Sequence, residues 1–398
     1  MNVPQLRFSG FEEPWKEIKL GELVEFKNGL NYLKSDRGEI VYTVGVKNFN
    51  QKKMKSTSEL ESINLSSIPN KDFLVKKDDL LFVRSNGNKE LVGRMLLIET
   101  DLTNTYYSGF VIRGRIKERT ILEPLFLLSS ESKIKSAMKS LMGGTNISNL
   151  SQSILNSLVL NVPSLGEQKK IASFISLIEQ NIEKQQEKIE KLEQFKKGMM
   201  QKVFSQELRF KDEEGGKFPD WKKKKLDKCL DIENGFPFKS SYFTTEPIGM
   251  PLLRIRDIKA EKLNTYYTGS FDEKFLVHNQ DIVIGMDGEF AVSKWNKGPA
   301  LLNQRVMRIK NKEDYSLSYL YQLLKIVVKK IEDITPQTTV KHLSNKDIFN
   351  TIVEMPSFDE QLQIGNFFSY IDTKIEKEKD KLMVLEEQKK GFMQGMFV

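Results

Sequence analysis

A stretch of about 40 residues occurs twice in this chain, and this repeat constrains the fold more than any other feature. The first copy runs from Pro163 to Val203, and the second begins at Pro356. Each copy opens with Pro-Ser, continues with Glu-Gln and closes on Lys-Lys-Gly, and equivalent residues such as Gln168 and Gln361 are 193 positions apart. A repeat of this length indicates one structural unit built twice, so it is interpreted before any shorter motif.

Both copies show the apolar spacing of a coiled-coil helix, in which steps of four and three residues alternate. The other faces are rich in Lys, Glu and Gln, and a narrow apolar seam on a charged helix requires a partner seam. We therefore predict two helices of about 38 residues, about 57 Å long, that pair as an antiparallel coiled coil. The predicted pairing residues are Ile171, Ile175, Ile178, Ile182, Ile189 and Leu192 in the first copy, and Ile364, Phe368, Ile371, Ile375, Leu382 and Leu385 in the second.

Polar residues interrupt both seams at equivalent positions. Antiparallel pairing would place Lys196 opposite Glu378 and Gln185 opposite Lys389, and such pairs would fix the register. The alternative is that each helix packs only on its own globular domain, which usually produces a wider apolar stripe.

Composition narrows the function classes. The chain has 398 residues, a net charge of +8 and a pI near 9.1, which favours a polyanionic partner. Cys229 is the only cysteine, so no internal disulfide forms, and one cysteine with two histidines does not make a standard zinc site. With no apolar run of membrane-spanning length and no signal-peptide core, we expect a cytoplasmic protein with no bound metal.

A second set of landmarks divides the rest of the chain into two similar units. Trp15 and Asn28-Gly29 in the first unit correspond to Trp221 and Asn234-Gly235 in the second. We predict a first domain at 1–165, a first long helix at 166–206, a linker and second domain at 207–357, and a second long helix at 358–398.

Short β-branched runs inside each unit predict strands, and one helix follows them in each. The predicted strands include 40–44, 80–83 and 110–113 in the first unit, and 282–284 and 305–309 in the second. The predicted helices are 123–141 and 317–334, each followed by a polar loop and a final apolar strand. The fold class is thus α+β, with two pseudo-symmetric mixed α/β domains separated by the two long helices.

Several catalytic signatures are missing. The chain has no phosphate-binding loop, no Gly-x-Gly-x-x-Gly and no Asn/Asp-Pro-Pro-aromatic stretch, so neither NTP hydrolysis nor a complete adenine methyltransferase is expected. Two unrelated histidines do not support a nucleophilic triad. We predict that the chain alone is not an enzyme and has no catalytic residues.

The repeated architecture resembles the specificity subunit of type I restriction-modification enzymes. The resemblance covers essentially the whole chain and rests on the two Pro-x-x-x-Glu-Gln-x-x-Ile motifs, which begin at Pro163 and Pro356 and each precede a long helix. It implies that each globular unit is a target recognition domain for one half of a split DNA sequence, and that the helices set the gap between the halves. It also implies two methyltransferase subunits that carry S-adenosylmethionine, and two motor-nuclease subunits that use ATP and Mg.

No family motif identifies the DNA-contacting residues, so they are predicted from chemistry. Arg, Lys, Asn and Gln on loops suit base edges, acidic groups can accept from cytosine, and Lys, Arg and hydroxyls suit phosphates. Loops with these residue types follow a strand in each unit and precede the last strand. The candidates are Arg84, Asn86, Asn88, Lys89, Arg94, Thr145 and Asn146 in the first unit, and Met286, Asp287, Glu289, Lys294, Gln304, Arg305, Thr338 and Lys341 in the second.

Two other functions fit part of the pattern. A stand-alone DNA-binding regulator with two readers explains the charge and the duplication, but not the long paired seams with their apolar ends. A self-contained restriction enzyme would need catalytic motifs that the chain does not contain. Binding of DNA without a methyltransferase would favour the first, and methylation by the chain alone would favour the second.

Overall fold

The computed structural model describes residues 3–32, 38–67, 69–141, 149–335 and 341–397. The chain divides into a first unit, Met1–Glu187 with Asp380–Val398, and a second unit, Lys188–Lys379. Each unit contains one globular domain and one part of each long helix. Among the described residues, the main core cluster of each unit is made of residues of that unit alone.

The first domain contains the following elements. Its strands are β1 (Lys16–Lys19), β2 (Val24–Asn28), β3 (Glu39–Val44), β4 (Lys53–Met54), β5 (Glu61–Leu65), β6 (Leu80–Val83), β7 (Met95–Ile98), β8 (Thr105–Tyr107), β9 (Val111–Ile116) and β10 (Val159–Val162). Its helices are α1 (Leu20–Leu23), α2 (Pro124–Ser129), α3 (Glu131–Leu141) and α4 (Gln152–Ser157), followed by the long helix α5 (Leu165–Phe204).

The second domain repeats this order. Its strands are β11 (Lys222–Lys225), β12 (Leu230–Asn234), β13 (Phe243–Thr244), β14 (Met250–Leu253), β15 (Tyr266–Tyr267), β16 (Leu276–Val277), β17 (Ile282–Gly285), β18 (Val292–Lys294), β19 (Ala300–Leu302), β20 (Val306–Asn311) and β21 (Ile352–Met355). Its helices are α6 (Leu317–Ile334) and α7 (Asn345–Phe349), followed by the long helix α8 (Phe358–Met396).

A buried central strand organises each domain. In the first, β6 pairs with β7 and β9 in a five-stranded sheet of order β2-β9-β6-β7-β4. Leu80 and Phe82 face one core with the helices, whereas Leu81 and Val83 face a second core beneath the β5-β3-β8 sheet. Because both faces are covered, the strand is a continuous apolar run in the sequence.

The second domain has the same arrangement around β17, in a sheet of order β12-β20-β17-β18. Ile282 and Ile284 enter the helix-side core, and Val283 enters the core on the other face. A short antiparallel ribbon closes each domain, β1 with β10 in the first and β11 with β21 in the second. The predicted mixed α/β class and its strands are confirmed.

One predicted helix has the expected extent but is interrupted. Residues 123–141 form two helices, α2 and α3, that meet at Ser130. The Ser130 hydroxyl donates to the Phe126 carbonyl at 2.9 Å, and a serine that bonds to its own backbone in this way competes with regular helix geometry. The counterpart α6 has no such break, and its bounds match the prediction.

The long helices pair in antiparallel fashion within each unit, as predicted. In the first unit, Ile171 and Ile175 near the start of α5 share a core with Met396 and Phe397 at the end of α8. In the second, Ile364 and Phe368 near the start of α8 share a core with Val203 at the end of α5. The alternative interpretation also holds in part, because the start of each helix belongs to the core of the domain that precedes it.

The predicted register of the pair is wrong. Lys196 forms an ion pair with Asp372, six residues before Glu378, and Glu378 accepts from Lys188 at 2.9 Å. Lys389 pairs with Glu179 at 2.6 Å, six residues before Gln185. The starts of both helices pack in the domain cores, and the ion pairs follow the register that goes with this packing.

Candidate nucleic-acid interface

The repeated Glu-Gln motif is a structural joint between each long helix and its domain. Glu167 accepts two hydrogen bonds from the Arg7 guanidinium at 2.7 and 2.9 Å. Glu360 does the same for Arg209 at 3.1 and 2.7 Å, and it also accepts from the Trp221 indole at 2.9 Å. These bidentate pairs fix the chain segment that precedes each domain against the helix that follows it.

The glutamine of each motif joins the helix to the start of the neighbouring domain helix. Gln168 accepts from the Glu123 amide at 2.8 Å and donates to the Pro163 carbonyl at 2.9 Å. Gln361 accepts from the Ser316 amide at 3.0 Å and donates to the Pro356 carbonyl at 3.1 Å. Glu123 and Ser316 are the N-caps of α2 and α6, so this side chain satisfies a helix-end amide in both copies.

At one end of each central strand, three chain segments meet in a tip held by backbone hydrogen bonds. We define the first tip as residues 84–86, 108–110 and 149–150, and the second tip as residues 286–288, 303–305 and 341–343. The amide of Arg84 donates to the Phe110 carbonyl at 2.8 Å, and the Leu150 amide donates to the Arg84 carbonyl at 2.7 Å. In the second tip, Met286 donates to Arg305 at 3.0 Å and Leu343 donates to Met286 at 2.7 Å.

The Asn-Gly landmarks lie against these tips. A Cβ atom on Gly29 would lie 2.1 Å from the Ser108 carbonyl oxygen, and one on Gly235 would lie 2.1 Å from the Asn303 oxygen. Both glycines are required because the backbone of the turn approaches this closely. The recurring Asn-Gly thus fixes the loop that carries one segment of each tip.

The two tips have the same backbone frame but different side chains. Ser85 and Asn149 form an isolated bridge in the first tip, and Asp287 and His342 form the equivalent bridge in the second. At the third position the first tip has Phe110, 62 % exposed, where the second has the exposed Arg305. The two tips therefore present different side chains from the same backbone frame.

Three of the predicted first-unit candidates belong to this frame. Arg84 is half-buried and donates from Nη1 to the Gly109 carbonyl at 3.3 Å. Asn86 accepts from the Asn88 amide at 2.8 Å, and Asn88 accepts from the Glu90 amide at 3.1 Å. Their carboxamide oxygens therefore shape the turn.

Two further candidates of the first unit, Lys89 and Arg94, lie outside the first tip. Lys89 is exposed beside this turn, whereas Arg94 is half-buried and donates to the Phe49 carbonyl at 3.1 Å. Thr145 and Asn146 lie outside the described residues.

The second-unit candidates have different outcomes. The prediction that Met286 contacts DNA is wrong, because its side chain is 8 % exposed and packs in the helix-side core, where it cannot reach a base. Asp287, Gln304 and Arg305 lie in the second tip. Thr338 lies outside the described residues.

The remaining candidates are held by protein contacts. Lys341 donates from Nζ to the Glu332 carbonyl at the end of α6, at 2.8 Å. Glu289 forms an exposed ion pair with Lys259 at 2.5 Å. Lys294 lines a cleft of about 1270 Å³ beside α5, α6 and α8, where Lys197, Lys325 and Lys330 also lie.

The pKa of one amine in this cleft is shifted. Burial lowers the pKa of Lys196 below its ordinary value, the nearby Lys325 ammonium lowers it further, and the Asp372 carboxylate opposes the shift. A cleft of the first unit beside α5, about 630 Å³, is lined by Lys52, Lys53 and Lys55 together with Glu179 and Glu183.

The predicted helix-pairing residues lie on the inner faces of α5 and α8. None of the apolar ones is exposed, and Lys196 and Glu378 are buried. Their role in docking a partner stays a prediction. In the part of the chain that the structure describes, no helix is long and apolar enough to cross a membrane, and no cluster of His, Cys, Asp and Glu is arranged to hold a metal ion.

Sequence reasoning missed Ser85, Phe110, Asn149 and His342 as members of the tips. The available signal was the repeat itself, because aligning the strand that starts near Phe110 with the one that starts near Arg305 pairs these positions. The loops between these positions differ in length in the two units, so equivalent tip residues are not separated by one constant number of positions.

A family model described as the type I restriction modification DNA specificity domain matches residues 12–194 and 219–387. The chain belongs to this family. Each match covers one domain and most of the long helix that follows it, so the resemblance inferred from the repeat is confirmed.

Individual relatives agree with this assignment. The chain is 36 % identical over 177 residues to the type I restriction enzyme EcoBI specificity subunit of Escherichia coli, a match that covers 44 % of this chain and 37 % of that protein. It is 24 % identical over 408 residues to the MjaVIII specificity subunit of Methanocaldococcus jannaschii, covering 96 % and 91 %. The crystal structure of an S subunit from M. genitalium has the same fold, with a TM-score of 0.64, 17 % identity and coverage of 100 % and 99 %.

Proposed function

We propose that this chain is the DNA-recognition subunit of a type I restriction-modification complex and reads a bipartite target. The observation that carries the proposal is the double family match, in which each copy joins one domain to one long helix. The domains at 1–165 and 207–357 would each read one half-site. The helices at 166–206 and 358–398 would set the spacing between the halves.

The partners follow from the same proposal. Two methyltransferase subunits would dock on equivalent surfaces of the helix pair, since a pseudo-two-fold chain presents the same surface twice. Two motor-nuclease subunits would complete the complex. S-adenosylmethionine would be bound by the methyltransferase subunits, ATP and Mg by the motor-nuclease subunits, and the complex would act in the cytoplasm without a catalytic residue from this chain.

The spacing role is supported by the stiffness of α5 and α8, which are continuous over 40 and 39 residues. Lengthening both helices by one heptad adds about 10 Å and preserves the seam. We expect the two half-sites to be retained and the gap between them to increase. An unchanged gap in the methylated sites would exclude the helices as the spacing element.

The direct test is to express the chain with the methyltransferase subunit of the same host in a strain without its own methylation, and to map the methylated adenines. We expect one split sequence, methylated only when both proteins are present. Methylation by the chain alone, or a continuous target, would contradict the proposal.

A further inference from the structure

The second tip contains a carboxylate that holds two side chains from two different segments. Asp287 Oδ1 lies 2.6 Å from His342 Nδ1, and Asp287 Oδ2 lies 3.4 Å from Arg305 Nε. A carboxylate only accepts, so His342 donates from Nδ1. Because Met286 bonds to Arg305 and Leu343 bonds to Met286 through the backbone, all three side chains start from a fixed frame.

Arg305 has an exposed side chain. Its side chain is 55 % exposed, and in the part of the chain that the structure describes Asp287 is its one ion-pair partner. The contact involves Nε, which leaves the terminal nitrogens Nη1 and Nη2 to donate to another molecule. Asp287 is 29 % exposed and each of its oxygens faces a side chain of the second tip, so it is placed to orient Arg305.

We propose that Arg305, positioned by Asp287, reads a guanine in the half-site of the second domain. Guanine presents the O6 and N7 acceptors side by side in the major groove, and the planar fork of an arginine matches them with two hydrogen bonds. This inference rests on the proposed function. It names one base of the second half-site, a guanine, and the residue that recognises it, Arg305.

The first tip has no equivalent of the Asp287 and Arg305 pair. Its equivalent positions are Ser85, Phe110 and Asn149, which offer no guanidinium and no carboxylate. The guanine contact through this position therefore belongs to the second half-site alone.

The test uses the complex of the chain with its methyltransferase subunit and duplexes that carry the mapped target. Each guanine of the second half-site is replaced in turn by 7-deazaguanine, which lacks the N7 acceptor. We expect one replacement to weaken binding of the wild-type complex by about 5-fold or more, the range for loss of a base-specific arginine contact.

Variants connect that guanine to Arg305. The complex with Arg305→Ala should bind the unmodified target more weakly and should not distinguish guanine from 7-deazaguanine at that position. Asp287→Asn, which removes the positioning charge, should reduce the discrimination partly. Arg119→Ala is the matched control, because Arg119 is also about half exposed, at 50 %, and pairs with an aspartate, Asp78, at 2.5 Å in the first domain.

The outcomes separate this inference from the proposed function. A second half-site without guanine, or an Arg305→Ala complex that keeps full sensitivity to 7-deazaguanine, would overturn the role of Arg305 while the split target stands. Equal loss of discrimination with Arg119→Ala would also overturn it, because total charge would then be the cause. Failure of the wild-type complex to recognise a split target would instead remove the proposed function.

Discussion

The two units share their joints almost atom for atom and differ at their tips. In both, a Glu-Gln pair at the start of a long helix binds an arginine and the first amide of a domain helix. The tips place a serine, a phenylalanine and an asparagine in the first unit where the second has Asp287, Arg305 and His342. The repeated sequence thus encodes a scaffold, and the unrepeated sequence encodes what the scaffold presents.

The joints differ in the partners of their glutamates, which allows them to be compared quantitatively. Trp221 donates its indole hydrogen to Glu360, whereas the Trp15 indole nitrogen is buried without a hydrogen-bond partner among the described residues. Trp15 instead packs edge-on against Phe126 and Phe397, with ring centroids 6.0 and 6.4 Å away. Glu360 therefore satisfies one more donor than Glu167 does, the indole of the half-buried Trp221.

The largest effect is expected from Glu360→Ala. Removing one partner of a buried ion pair costs about 3–5 kcal/mol, and stranding the Trp221 indole adds about 1–3 kcal/mol. Glu167→Ala should lower the free energy of unfolding by only about 3–5 kcal/mol, because no indole loses a hydrogen-bond partner there. Hydrogen exchange in the full chain measures this as lost protection within the unit that carries the substitution.

Two further variants sharpen that comparison. Trp221→Phe removes the extra donor, so in that background the Glu360 and Glu167 substitutions should become nearly equal in cost. Glu386→Ala, on the exposed face of α8, should change protection little. If Glu167→Ala proves the more costly substitution, the joints do not work as described.

An intermediate effect is expected at the glutamines. Gln168 makes three contacts, the third being donation to the Ile121 carbonyl at 2.8 Å, and Gln361 makes two. Gln168→Ala should therefore lower the free energy of unfolding by about 1–3 kcal/mol. Gln361→Ala should lower it by less, because fewer groups lose a partner when Gln361 is removed. Urea-dependent hydrogen exchange of each unit reports both values, with the exposed Gln194→Ala as the control.

The smallest effect concerns the ion pairs between the long helices. Lys196 is 11 % exposed and Lys389 is 30 % exposed, so burial costs Lys196 more. The lowered pKa of Lys196 means that its burial outweighs the attraction of Asp372, and Asp372 keeps Gln322 and Lys325 as partners after the substitution. Lys196→Met should therefore change the free energy of unfolding by only on the order of 1 kcal/mol near neutral pH, and Lys389→Met, at a more exposed pair, should change it less.

The pH dependence of the Lys196 effect has a definite sign. Because the folded pKa of Lys196 is lowered, the unfolded chain binds more protons between that pKa and the ordinary value of 10.5. The free energy of unfolding of the wild type, relative to that of Lys196→Met, should therefore increase as the pH rises from the folded pKa of Lys196 towards 10.5. Thermal melting of both proteins at several pH values measures it, and a difference that grows in favour of the variant would contradict the burial of Lys196.

Periodicity was sufficient to predict the helices and their pairing, because the seam residues repeat at a spacing that only a helix places on one face. α6 was located to the residue for the same reason. The register of the pair escaped prediction, since it depends on how deeply Ile171 and Ile364 enter the domain cores. No local pattern reports that depth.

The tips were only partly predictable. Asp287, Gln304 and Arg305 were selected by residue type, but Met286 was included although it completes an alternation of buried residues after β17. The contact between Asp287 and His342 joins residues 55 positions apart, and the residue types alone do not show that the two side chains meet. Contacts of this kind depend on tertiary structure.

The central claim is that one scaffold holds two independent readers, and exchanging a single domain tests it most directly. Residues 15–163 are replaced by the corresponding segment of another specificity subunit, and methylated adenines are mapped with the same methyltransferase. The account predicts that one half of the split target changes while the other half is retained. A change in both halves, or in neither, would contradict it.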